Sequence, residues 1–186
     1  MTHTHTAVFM TWLTLMLAYL AAGSLLIPFK HRNAYQSCPK DWGYYVSNLL
    51  WWAVPLTWFL SPAVSTAPER SVGMVLFAAG AAMVIWTRRV NPFFLPVIRE
   101  PRWVVNDGPY RWLRHPGYAG LILMAEGSFL MLGHLVGVVP LVACIGFLIA
   151  RARRENRILI HAGASEFYDQ SGAENPDSLR VVIPPG

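Results

Sequence analysis

From Ala7 to Ile27 the chain runs through AVFMTWLTLMLAYLAAGSLLI without one charged side chain. A helix needs about 20 mostly apolar residues to cross the hydrocarbon core of a bilayer. Inside that core every backbone N–H and C=O must be satisfied within the segment, so only helices or closed barrels can span it. Further apolar stretches lie at Tyr44 to Val64, Ser71 to Thr87, Pro116 to His134 and Leu135 to Arg151. The last two are separated only by the short GHLVG stretch, which predicts a helical hairpin. Charged residues make up 13% of the 186, against about 25% in soluble domains. The expected fold is therefore an all-α integral membrane protein with about five transmembrane helices, the last two forming a helical hairpin. Pro55 and Pro140 fall inside spans, which membrane helices tolerate when neighbours satisfy the freed carbonyl. The small residues of FAAGAAM (Phe77 to Met83) would let another helix approach closely.

The position of the basic residues agrees with five spans. With that number, Lys30, Arg32, Lys40, Arg88, Arg89, Arg99, Arg102, Arg111, Arg114, Arg151, Arg153, Arg154, Arg157 and Arg180 share one side, and only Arg70 lies opposite. Lys and Arg concentrate on the cytoplasmic face. The N-terminus is accordingly expected outside, and the C-terminus and basic loops inside. This accounts for the formal net charge of +5 without a nucleic-acid partner. MTHTHTAVFM lacks the positive leader region of a cleavable signal, and its apolar stretch is longer than a signal core. A retained first membrane helix is expected, with His3 and His5 on a polar terminus. Cys38 lies in a polar loop and Cys144 deep in an apolar run, so no disulfide is expected. The chain is expected to form one domain over residues 1–186. Residues 1–90 would supply three spans, and residues 91–186 the interfacial segment, hairpin and tail. NPFFLPVIREPRWVVNDGPYRWL mixes aromatic, basic and proline residues, so it cannot be one regular helix.

The densest chemical constellation is GPYRWLRHPGYAG, from Gly108 to Gly120. Gly108-Pro109 marks a turn, and Pro116 suits the first turn of a helix, where its missing N–H costs nothing. An interfacial helix start with snorkelling Arg and Tyr side chains is one reading. Equally, free N–H groups at such a start favour an anionic group, with Arg111, Arg114 and His115 beside it. A hairpin would bring RHPGY to the same membrane face as RARRE, which holds Arg151 and Glu155. Glu126, near the middle of the fourth span, is the other outlier, since a charge there is costly and usually functional. It could line the inner end of a cavity or be a neutral, hydrogen-bonded helix contact. The chain has no HExxH, paired CxxC, GxSxG or glycine-rich phosphate loop, no GxGxxG and no convincing metal set.

The order GPYRWLRHPGYAG, two apolar spans, RARRENRIL, GASEFY and the closing RVVIPP resembles the isoprenylcysteine carboxyl methyltransferase family. That family belongs to a wider group of small membrane methyltransferases that includes the phospholipid N-methyltransferases. The likeness covers about Pro101 to Pro184. It implies S-adenosylmethionine as cofactor, held in a cytoplasmic pocket. It also implies cofactor-binding roles for Arg102, Trp103, Val104 and Val105, for Tyr110, for His115, Pro116, Gly117 and Tyr118, and for Glu155. Arg102 stands where the family usually has histidine, and Asn156 where its Arg-x-x-x-Glu-Glu pattern has the second acid. Arg151 is assigned to the substrate, with Glu126 as a further substrate-side or catalytic candidate.

S-adenosylmethionine carries an ammonium, a carboxylate, ribose hydroxyls and an adenine. A carboxylate, basic groups, helix N–H donors and aromatic faces are their complements. The expected activity is methyl transfer to a hydrophobic or lipid-like acceptor, with carboxyl O-methylation nearest to the family. Lipid N-methylation and thiol S-methylation are the close alternatives. An NADPH-dependent sterol-reductase type, which shares a similar His-Pro-x-Tyr-x-Gly element, is an alternative of another class, although Leu121 stands where those chains often have an acid. A non-enzymatic membrane subunit is a third. Membrane lipids and the acceptor are the expected partners, with no metal.

Overall fold

A computed structural model of the chain describes residues 3–25, 42–57, 65–91, 107–132 and 135–161. Among these the fold is all-helical, with five long helices: α1 (His3–Leu25), α2 (Trp42–Leu56), α3 (Ala67–Val90), α4 (Pro116–Leu132) and α5 (Val138–His161). A 3-10 turn at Gly108–Arg111 precedes α4, and another at Leu135–Gly137 precedes α5. Two helices are long and apolar enough to cross a membrane, α1 over Thr6–Gly23 and α3 over Ala67–Val90, while α4 is apolar over a shorter length.

The helix ends follow local chemistry. α3 begins four residues ahead of the expected Ser71, because Thr66 caps it: the Thr66 hydroxyl accepts from the Glu69 N–H, and the Glu69 carboxylate accepts from the Thr66 N–H. This reciprocal Thr-x-x-Glu arrangement satisfies two donors that a helix start otherwise leaves open. α3 ends on Arg88 and Arg89, cations that suit the negative end of the helix dipole. Pro116 opens α4 as the sequence predicts. α5 continues past Arg151 to His161, since Arg, Ala, Glu and Leu are good helix formers.

α4 is the hub and touches each of the other four long helices. None of its residues is fully exposed, as expected for a helix that is apolar all round. Its closest partner is α3. A Cβ added at Gly80 would lie 2.5 Å from the Gly120 carbonyl oxygen, and one at Gly73 would lie 2.7 Å from that of Gly127. The two glycine pairs are seven residues apart on each helix, about two turns, and run in opposite directions. The backbones therefore meet directly over that length. FAAGAAM supplies one of these contacts at Gly80, and Met124, Met131 and Phe77 fill the spaces around them. The Ser65 hydroxyl donates to the Met131 carbonyl at 2.7 Å, fastening the start of α3 to the end of α4.

α1 lies against both. The Trp12 indole N–H donates to Ser128 Oγ at 3.0 Å, and that hydroxyl donates to the Met124 carbonyl. The Arg88 guanidinium lies 5.9 Å from the centre of the Tyr19 ring, a cation–π distance. The Trp12–Ser128 bond is buried, so Ser128→Ala would strand an indole N–H, at a cost of about 1–3 kcal/mol. Urea unfolding of the detergent-solubilised variant checks this; an unchanged midpoint would show that the indole finds another acceptor.

The outward faces are apolar too. Trp42, Tyr45, Leu49 and Leu56 of α2, Val72 and Val75 of α3, and Val139 and Val142 of α5 are all exposed. Apolar exposure on this scale is what a lipid-facing surface requires.

Candidate functional site

The turn before α4 is built on Gly108, which has φ +59°, a conformation that disfavours side chains with a Cβ. A Cβ there would also lie 2.9 Å from the Trp86 indole nitrogen. Pro109 is buried, and its carbonyl accepts from the Trp112 and Leu113 N–H groups. The turn is docked on the end of α3: Asn91 Nδ2 donates to the Tyr110 hydroxyl at 3.1 Å, and the Trp86 and Trp112 rings meet edge to face at 5.6 Å.

The chain then enters α4 through His115, whose carbonyl accepts the first helical bond from Ala119. Its imidazole reaches α5. Nε2 lies 2.8 Å from Asn156 Oδ1, and Nδ1 lies 3.5 Å from Glu155 Oε2. One turn along α4, Tyr118 is buried, with its ring 5.7 Å from that of His115. Its hydroxyl accepts from Arg151 Nε at 3.2 Å. Residues more than thirty positions apart thus form one cluster of imidazole, carboxylate, carboxamide, phenol and guanidinium.

Burial grades the cluster. Arg151 is 5% exposed, whereas the side chains of His115 and Glu155 are 16% and 36% exposed. The more exposed edge of the cluster is thus the Glu155 carboxylate, with the mostly buried imidazole next to it and aromatic and cationic groups beneath. Burial pushes the His115 ring toward its neutral form, as does nearby Arg114. The hydrogen bonds to Glu155 and Asn156 and the Glu155 charge outweigh these, so its pKa stands above the ordinary value.

Several predicted site residues gather here: His115, Pro116, Gly117, Tyr118, Arg151 and Glu155. Tyr110 is held on the adjoining turn against α3. Glu126 lies further along α4, about 16 Å from His115 along the axis, half-buried and with no hydrogen bond or ion pair among the described residues. Arg102, Trp103, Val104 and Val105 lie outside the described residues. Asn156, counted in the sequence only as a missing acid, is a member of the cluster. Its signal was positional, since it follows Glu155 in the family's acidic pair. Asn91 and Trp86, which hold the turn, carried no motif signal.

Comparison with curated proteins and with solved structures returned no match. A family model does match, and its reach differs from the likeness seen in the motifs alone. It begins earlier and takes in all of α3, the helix locked to α4 through paired glycines, and it stops before GASEFY and RVVIPP. With more than half of its length matched, residues 60–161, the chain belongs to the isoprenylcysteine carboxyl methyltransferase (ICMT) family of membrane methyltransferases.

Proposed function

We propose that the chain transfers a methyl group from S-adenosylmethionine to the carboxylate of a hydrophobic, isoprenylcysteine-like acceptor. In this reading five spans place the cluster at the cytoplasmic face, α4 and α5 act as a hairpin, and the acceptor enters from the lipid side. The observation that carries it is the convergence of His115, Tyr118, Arg151, Glu155 and Asn156.

The residues present fit the cofactor. Glu155 is a half-exposed carboxylate, placed to receive an ammonium. The first turn of α4 offers backbone N–H groups that lack intrahelical acceptors, with Arg114 beside them, and these suit a carboxylate. The His115 ring, part-exposed and backed by the buried Tyr118 ring, supplies a surface for a flat or cationic group. S-adenosylmethionine, held by Glu155 and the start of α4, would supply a methyl group on a sulfonium, whose sulfur would leave as a neutral thioether as the acceptor carboxylate took the methyl. A carboxylate acceptor is already a nucleophile and needs no general base, so this chain's part is to bind, align and exclude water. Arg151, buried and bonded to Tyr118, holds that phenol in place beside Glu155. Its charge is positioned to draw an acceptor carboxylate inward.

The test is methyl transfer by the detergent-purified protein from labelled S-adenosylmethionine to an S-prenylated cysteine with a free carboxylate. The expected product is a base-labile methyl ester. Label that appears only in a base-stable form, on amine headgroups of added lipid, would overturn the carboxylate assignment. Calorimetric binding of NADPH with none of S-adenosylmethionine would overturn the methyltransfer reading.

A further inference from the structure

Asn156 occupies the place of the family's second acid, and its carboxamide oxygen meets the His115 ring without bringing a carboxylate's charge. The carboxamide oxygen accepts and carries no proton. Its 2.8 Å contact with Nε2 is therefore a hydrogen bond only when Nε2 holds the proton. A neutral ring so arranged has a bare Nδ1, and Nδ1 faces the Glu155 carboxylate at 3.5 Å. Two acceptors would then oppose one another. With the carboxamide oxygen turned to Nε2, only the imidazolium, a donor at both nitrogens, satisfies both partners; a carboxamide turned to present its NH2 would instead suit a neutral ring protonated on Nδ1. The other groups around the ring are Arg114, next to it in the chain, and Tyr118, whose hydroxyl is held by Arg151.

We propose that Asn156 is a positioning residue that keeps the His115 proton on Nε2, so that a cationic ligand at Glu155 must compete with the protonated ring for that carboxylate. The competition, though not the tautomer assignment, rests on the proposed role of Glu155 toward S-adenosylmethionine. The sign follows from which form clamps Glu155. At low pH the ring is charged and holds the carboxylate. As pH rises through the ring's raised pKa, the clamp is lost and the carboxylate is released. Cofactor affinity rises over that window, and bound cofactor in turn lowers the ring's pKa, because the two effects are linked.

Two variants move the ring in opposite directions. Asn156→Ala removes an acceptor that favours the charged form, and Asn156→Asp puts an anion in its place. Ring titration by NMR of histidine-labelled protein in detergent, with His115→Gln for assignment, needs no cofactor. The expected midpoint falls by about one pH unit in the alanine variant and rises in the aspartate variant. The pH dependence of S-adenosylmethionine affinity, measured by calorimetry, is expected to shift with each. Midpoints that stay fixed, or that move the same way in both variants, overturn the tautomer assignment. A ring that titrates as expected beside a pH-independent cofactor affinity overturns the competition. No cofactor binding at any pH overturns the functional reading and the competition with it, and leaves the ring titration to decide the role of Asn156.

Discussion

Gly80→Val is expected to force α3 away from α4 and to destabilise the protein by more than the about 1–3 kcal/mol of ordinary overpacking. The Cβ at this position would lie 2.5 Å from the Gly120 carbonyl oxygen and 2.8 Å from the Met124 backbone nitrogen. Neither neighbour is a side chain that can swing aside. Relief requires the two helices to separate, and separation also opens the contacts at Gly73 and Gly127, where backbone again meets backbone. The control is Gly146 on α5, where an added Cβ meets nothing within 4 Å. Gly146→Ala is expected to be neutral or to stabilise by up to about 1 kcal/mol, since alanine is the better helix former. Thermal unfolding in detergent compares the two. Equal melting temperatures for Gly80→Val and the native chain would show that the α3–α4 pair is looser than its geometry implies.

That contact marks how far the sequence could be followed. FAAGAAM announced a close approach by another helix because small residues in an apolar run have few other uses. Which helix approaches was hidden, because it depends on matching Gly73 and Gly80 with Gly127 and Gly120, four residues across two segments. The start of α4 was legible at Pro116, since a proline directly ahead of an apolar run favours the first turn of a helix and so marks that boundary locally. The start of α3 was equally written in Thr66 and Glu69, but a search for apolar length passes over a polar cap. In the cluster, the motifs pointed to His115, Tyr118, Arg151 and Glu155. The bond from His115 to Asn156 depends on the register between α4 and α5, which no local pattern encodes. Read as a lost acid, Asn156 looks like a defect, whereas in place its carboxamide oxygen lies 2.8 Å from the His115 ring.

The register also sets the consequence of removing the carboxylate. Glu155→Ala is expected to weaken S-adenosylmethionine binding while leaving the fold intact. Hydrogen bonds to charged groups contribute about 1.5–3 kcal/mol. The Glu155 side chain is 36% exposed, so screening favours the lower part of that range and a loss of about tenfold to thirtyfold. Folding should change little, because the pair it makes with His115 is half-exposed and the glycine-paired core of α3 and α4 lies elsewhere. Arg153, exposed on the same helix, is the control: Arg153→Ala removes a charge near the site without removing a member of the cluster. Calorimetry on both variants separates a specific carboxylate contact from a general effect of charge. Equal affinities for Glu155→Ala and the native chain would place the cofactor elsewhere, and an equal loss in Arg153→Ala would reduce the role of Glu155 to one charge among many. The affinity of Glu155→Ala should also no longer vary with pH across the His115 titration, because the ring then has no carboxylate to withhold.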